Sequence, residues 1–262
     1  MAARAEILRE LGLLPLWRWR GRMVTDPIVE EPTVVEGSRN AAPDHERSGV
    51  LPPERLQRIA RLDWTDFAAN VDACTACALC RSRNKSVPGV GDAHAQWLFV
   101  GEAPGADEDA RGEPFVGQAG RLLDSMLAAL AMRRGENVYI ANVLKCRPPG
   151  NRTPDLLEVE ACRPYLDRQI ALIAPRIIVA LGKSAATTLL NVDASIASLR
   201  GRVHRYQGVP LVVTYHPAYL LRNLPDKAKA WEDLCLARVT LRRLAEGGEK
   251  TPRLQAAATG PT

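Results

Sequence analysis

Between residues 97 and 216 the chain alternates short apolar runs with longer stretches of helical spacing. WLFV (97–100), VYIANVL (138–144), RIIVAL (176–181) and PLVVTYH (210–216) are continuous and rich in β-branched residues. Such runs predict strands buried on both faces. Behind the first, Leu122, Leu123, Met126, Leu127 and Leu130 recur at three- and four-residue steps, predicting a helix over 118–132. Thr153-Pro154 predicts the start of another helix, with threonine as N-cap and proline at the first helical position. KSAATTLL and the stretch AWEDLCLARVTLRRL continue the alternation. Strand–helix alternation of this kind predicts an α/β fold: a parallel sheet with helices on both faces. Ligands of such folds bind beyond the carboxyl ends of the strands. The loops leaving those ends are GEAPGADED, KCRPPGNR, GKS and HPAYLLR.

The regular pattern fills residues 56–246, and the rest of the chain differs in character. Residues 1–24 form a basic amphipathic segment ending in WRWRGR. Residues 25–55 are rich in proline, glycine and acids without a period, which predicts a flexible linker. Residues 247–262 are expected to be a disordered tail. A chain of 262 residues accommodates one α/β domain with such appendages. No apolar run approaches the roughly 18 residues that span a bilayer. The N-terminus, interrupted by Glu6 and Glu10, lacks the apolar centre of a signal peptide, so a cytoplasmic protein is expected. The net charge of +5 agrees with a nucleic-acid partner without establishing one.

Six cysteines in a cytoplasmic chain point to metal or redox chemistry before disulfides. Cys74 and Cys77 in CTAC, Cys146 in KCRPP and Cys162 in ACRPYL suit a four-thiolate site, open at this level to zinc or iron–sulfur. Cys80 extends the first pair to C-x2-C-x2-C, and Cys235 fits a small buried hydrophobe. LGKS is not a phosphate-binding loop, because Ile177 stands where that motif needs glycine. The loop after WLFV carries five acids in GEAPGADEDARGEPFVGQAG and places Phe115 between proline and valine-glycine, a flat face for a planar ligand. In HPAYLLR, proline follows His216 directly, and two leucines precede Arg222. That loop can push apolar groups into a partner while gripping phosphate.

Taken in order, CTAC, GEAPGADED, GEPFVGQAG, VYIANVLKCRPP, PRIIVALG and HPAYLLR resemble the family-four uracil-DNA glycosylases, the iron–sulfur branch of their superfamily. The resemblance runs from about Cys74 to Arg222. It implies a three-layer α/β/α sandwich around a four-stranded parallel sheet, and removal of uracil from single- or double-stranded DNA by cleavage of the N-glycosidic bond. It implies that Phe115 stacks on the extruded base, Asn142 reads its Watson–Crick edge, His216 faces O2, and Glu108 crowds out the methyl of thymine. Ala103 occupies a position where other branches carry a water-holding aspartate, leaving Glu102 to position water or stabilise the cationic sugar. Cys74, Cys77, Cys146 and Cys162 match the four ligands of a [4Fe–4S] cluster, with Cys80 outside the set. Leu220 or Leu221 would be the wedge, and Arg222 a phosphate contact. Arg81, Arg83, Lys85, Lys145, Arg147 and Arg152 suit further phosphate contacts.

Two alternatives stand beside this reading. One is a non-catalytic relative that holds uracil-containing DNA; KCRPPGNRTP lacks the histidine-bearing insertion of relatives that link covalently to DNA. The other is an interaction protein that docks a repair or replication partner through Trp17 and Trp19. A monomer is expected, associated with the nucleoid.

Overall fold

The computed structural model describes residues 52–246. The amphipathic segment, nearly all of the linker and the tail expected from the sequence lie outside the described residues. Helix α1 (Pro53–Arg61) begins three residues before the expected domain boundary at 56. Helix α2 (Trp64–Asp72) follows, capped by Asp63, whose side chain accepts from the Asp66 N–H at 3.2 Å. Ile59, Leu62, Phe67 and Val71 from this pair close on Tyr165.

Six strands form one sheet: β1 (Val90–Gly91), β2 (Trp97–Gly101), β3 (Val138–Asn142), β4 (Ile177–Leu181), β5 (Val203–Tyr206) and β6 (Val209–Thr214). Their order is β1-β3-β2-β4-β6-β5. Four are parallel and central, as the apolar runs predict, but the sheet is larger than the four strands that the resemblance implied. Short β1 and β5 pair antiparallel at its two edges. The sequence hides them for a physical reason. Val90–Gly91 is too short to carry a period, and VHRY at an edge is exposed at Val203 and Arg205.

The helices after β2 are α3 (Ala106–Arg111), α4 (Gln118–Ala129), α5 (Leu156–Ile173), α6 (Lys183–Leu190), α7 (Ile196–Leu199), α8 (Pro217–Leu220) and α9 (Asp226–Glu246). Alternate strand residues face opposite layers. Leu98, Val100, Ile178, Ala180, Leu211 and Val213 pack with Leu166 and Ile170 of α5 and Ala186 of α6. Trp97, Phe99, Ile140, Ile177, Val179 and Val212 pack with Leu123 and Leu127 of α4 and Leu234 of α9. Helices on both faces make this a three-layer sandwich, and each buried Val, Leu, Ile or Phe side chain contributes about 1.5–3 kcal/mol.

Two boundaries differ from expectation. The start of α5 is fixed by Asp155 and Glu158, not by Thr153-Pro154: the Glu158 carboxylate accepts from the Asp155 N–H at 2.9 Å and receives the Arg152 guanidinium. Strand β3 stops at Asn142 because the next two N–H groups turn back, Val143 to Gly101 O at 2.9 Å and Leu144 to Glu102 O at 3.0 Å.

The sheet has its topological switch at β2, since β3 lies on one side and β4 on the other. A crevice opens beyond the carboxyl ends there. The sequence therefore delivers Glu102, Asn142, the GKS turn and His216 to one rim.

Candidate active site

Gly101 and Asn142 are register partners at the ends of β2 and β3. A Cβ on Gly101 would collide with Asn142 Oδ1 and lie 2.6 Å from Phe115 Cζ, so only glycine lets the amide and the ring share this wall. Asn142 is 2% exposed, and its Oδ1 has no hydrogen-bond partner among the described residues. A buried amide oxygen left unpaired is costly unless a ligand completes it.

His216 caps α8. Its Nδ1 accepts from the Ala218 N–H at 3.1 Å, which places the imidazole proton of the neutral ring on Nε2. The His216 and Phe115 ring centroids lie 5.5 Å apart, tilted by 31°. Burial pushes the His216 pKa down to about 4; Glu108 pulls the other way, and Arg222 adds to the lowering. The ring is therefore neutral at physiological pH.

Glu102 and His216 line one open groove with Gly182, Ser184 and Leu156. Burial raises the Glu102 pKa, partly offset by a hydrogen bond from the Ser184 side chain. Ser184 carried no signal in the sequence beyond a glycine turn. Ala103 is half-buried against the core and presents no polar group. The Glu108 carboxylate accepts from three backbone N–H groups: Gly105 at 3.0 Å, Val116 at 2.8 Å and Gly117 at 3.1 Å. It holds the loop that carries Phe115.

The two leucines separate. Leu220 is 1% exposed and packs with Tyr215 and Ala230, so it is core and cannot be a wedge. Leu221 is 39% exposed and is followed by exposed Arg222. The basic residues also separate. Lys145 is buried, donating from Nζ to Asn142 O at 2.8 Å and to Gln169 Oε1, so it is not a phosphate contact. Arg152 is committed to Glu158, and Arg83 donates to Cys146 Sγ at 2.9 Å. Arg81 and Lys85 remain exposed.

The cysteines meet elsewhere. Cys74, Cys77, Cys146 and Cys162 line one small cavity together with Cys80, Lys145 and Tyr165. Burial pushes the Cys162 thiol up to about 12 and raises Cys77 and Cys146, while hydrogen bonds from Ala76 and Arg55 hold Cys74 low despite its own burial. Two guanidinium groups, Arg55 and Arg83, and one backbone N–H reach these thiols. The Lys145 backbone N–H donates to Cys162 Sγ at 3.2 Å, and Arg55 lies 3.7 Å from Cys74 Sγ. One buried nitrogen of Arg55, Nη1, has no partner among the described residues. A buried, unpartnered guanidinium nitrogen beside thiols suits a net negative group there. Among the described residues, no three His, Cys, Asp or Glu side chains converge on a point where a single metal ion could sit. A zinc ion would draw four sulfurs to about 2.3 Å from one centre. A four-iron cluster takes one thiolate per iron and holds its ligands further apart. Four thiols around one cavity, beside an unpartnered Arg55 nitrogen, fit a group that takes thiolate ligands.

The family profile of the uracil DNA glycosylase superfamily matches residues 88–235. The chain belongs to the uracil-DNA glycosylase superfamily. Within it, a type-4 uracil-DNA glycosylase of Archaeoglobus fulgidus is 46% identical over 164 residues, covering 60% of this chain and 82% of the relative. One from Thermotoga maritima is 46% identical over 161 residues, covering 61% and 83%. A type-5 uracil-DNA glycosylase of Thermus thermophilus is 34% identical over 160 residues, covering 48% and 72%.

Proposed function

We propose that this chain excises uracil from DNA, the first step of base excision repair, leaving an abasic site. The observation that carries the reading is the buried, unpaired Oδ1 of Asn142 beside the Phe115 ring, with the His216 ring 5.5 Å from that aromatic. The base must leave the stack to reach this depth, at a cost of a few kcal/mol in a duplex. Phe115 covers one face of it. Asn142 accepts from N3–H and donates to O4, a pattern that cytosine reverses. As the N-glycosidic bond breaks, charge collects on the leaving base, and the Nε2–H of neutral His216 meets it at O2. Glu102 stands on the groove side, where it orients water or balances the sugar cation, since Ala103 offers no group to do so. Glu108, by pinning the Phe115 loop, sets the room left beside C5 and thereby disfavours thymine. Leu221 fills the gap in the duplex and Arg222 holds phosphate.

Cys74, Cys77, Cys146 and Cys162 would hold a [4Fe–4S] cluster. Hydrolysis transfers no electrons, so the cluster's part is to brace the loop from β3 to α5 against the segment after α2. The enzyme works in the cytoplasm at the nucleoid. A repair or replication partner would dock on Trp17 and Trp19, which lie outside the described residues. Among those described, no helix is long and apolar enough to cross a membrane.

The test is incubation with a uracil-containing oligonucleotide followed by alkaline strand scission, with thymine and cytosine oligonucleotides alongside. Cleavage at uracil alone is expected; intact uracil strands after long incubation would overturn the reading.

Two further outcomes follow from the geometry. A histidine with a pKa of about 4 stays neutral throughout the physiological range. The single-turnover excision rate should therefore show no titration near pH 6.5 and should lose the His216 contribution only as pH falls toward 4. A rate that falls as pH rises through 6.5 would mean that the ring acts as a cation; loss of the Glu102 carboxylate, whose pKa burial raises, runs in the opposite sense. Leu220→Ala should destabilise the fold by about 2–5 kcal/mol in thermal denaturation. Leu221→Ala should leave the melting temperature unchanged and slow excision from duplex more than from single strands. Equal effects on the two substrates would remove Leu221 from the wedge role.

A further inference from the structure

Phe115 holds a left-handed backbone, φ 56°, which a residue with a bulky side chain adopts only when its surroundings force it. The surroundings can be named. On the N–H side of the turn, the Glu108 carboxylate accepts from Val116 at 2.8 Å and Gly117 at 3.1 Å. On the carbonyl side, Arg134 reaches in from the loop between α4 and β3. Its Nη1 donates to Pro114 O at 2.9 Å and its Nη2 to Phe115 O, while its Nε pairs with Asp124 of α4. Beneath them, a Cβ on Gly120 would collide with the Phe115 carbonyl, so α4 presses directly on the turned peptide. An acid grips one side of this turn and a base the other, and all three guanidinium nitrogens are engaged.

We infer that Arg134 is a positioning residue for excision: by gripping the Pro114 and Phe115 carbonyls it fixes the strained turn that sets the Phe115 ring against the wall of Gly101 and Asn142. This rests on reading Phe115 as the face on which the extruded base stacks. The planar guanidinium fork matches two adjacent carbonyls while still pairing with Asp124; a lysine supplies the charge but not the fork. A ring displaced by about 1 Å leaves the base misaligned for departure, an error that costs on the order of 10²-fold in rate. Arg134 acts through Phe115, so its loss falls on turnover and not on DNA capture.

The experiment compares wild type, Arg134→Met, Arg134→Lys, Phe115→Ala and the Phe115→Ala/Arg134→Met double variant on a single-stranded uracil oligonucleotide, with thermal denaturation of each. Arg133→Met is the control, since Arg133 makes an exposed pair with Glu136. Arg134→Met is expected to lower kcat by about 10- to 100-fold, with KM shifting by less than about threefold. Arg134→Lys should fall between it and wild type, and Arg133→Met should match wild type. The double variant should be no slower than Phe115→Ala, because the two residues act as one unit. Wild-type kcat in Arg134→Met, or a double-variant loss equal to the product of the single losses, would overturn the inference. If Arg134→Met does not melt cooperatively, unchanged kcat in Arg134→Lys overturns it just as well. An inactive wild type would instead sink the proposed function, leaving a separate signature.

Discussion

Asn142→Ala should lower single-turnover excision of uracil by about 10²- to 10³-fold, the loss expected when a preorganised partner of the leaving group is removed. The variant is unusually clean. Truncating most buried asparagines leaves former partners stranded, but Oδ1 here has none among the described residues. The protein-side contact that holds this position, from Lys145 Nζ, goes to the backbone carbonyl and survives the substitution. The melting temperature should therefore hold while activity collapses. Excision within about threefold of wild type would show that the base is not read by this amide.

The second large effect concerns the cysteine cavity. If the four thiolates hold the proposed cluster, Cys162→Ala should strip the purified protein of nearly all iron and visible absorption, and should lower its melting temperature, because metal-binding energy in such sites is folding energy. Cys80→Ala and Cys235→Ala should keep the iron. Cys80 makes the contrast informative, since it lines the same cavity as the four expected ligands. Full iron in Cys162→Ala with loss in Cys80→Ala would transfer the fourth ligand to Cys80. Excision should fall as well, because the Lys145 backbone donates to Cys162 and its side chain to Asn142.

What could be read along the chain was whatever repeats or clusters locally. The four parallel strands are unbroken apolar runs, and GEAPGADED, KCRPP and HPAYLLR are dense with unusual residues at their ends. Direction is what a linear pattern lacks. Lys145 sits among arginines and reads as a phosphate contact, yet its side chain turns inward to Asn142 and Gln169. Leu220 and Leu221 are adjacent and chemically identical, and only the pitch of α8 decides that one is core and the other exposed. The grip on Phe115 was illegible for another reason. Arg134 lies 19 residues from the carbonyl it holds, and nothing in MRRGENVY distinguishes it from its exposed neighbour Arg133. The cap of α5 went to Asp155 because Glu158 could answer its N–H, whereas the Thr153 carbonyl is taken by Arg152.

One feature of the rim bears on timing. His216 and Leu221 stand at opposite ends of α8, a single turn of helix, so their spacing is fixed by its backbone. On the proposed reading, sliding the leucine between stacked neighbours carries the imidazole forward by the same stroke. Plugging the vacancy and bringing up the hydrogen-bond donor then become one event, so a duplex that refuses the plug is spared the chemistry as well.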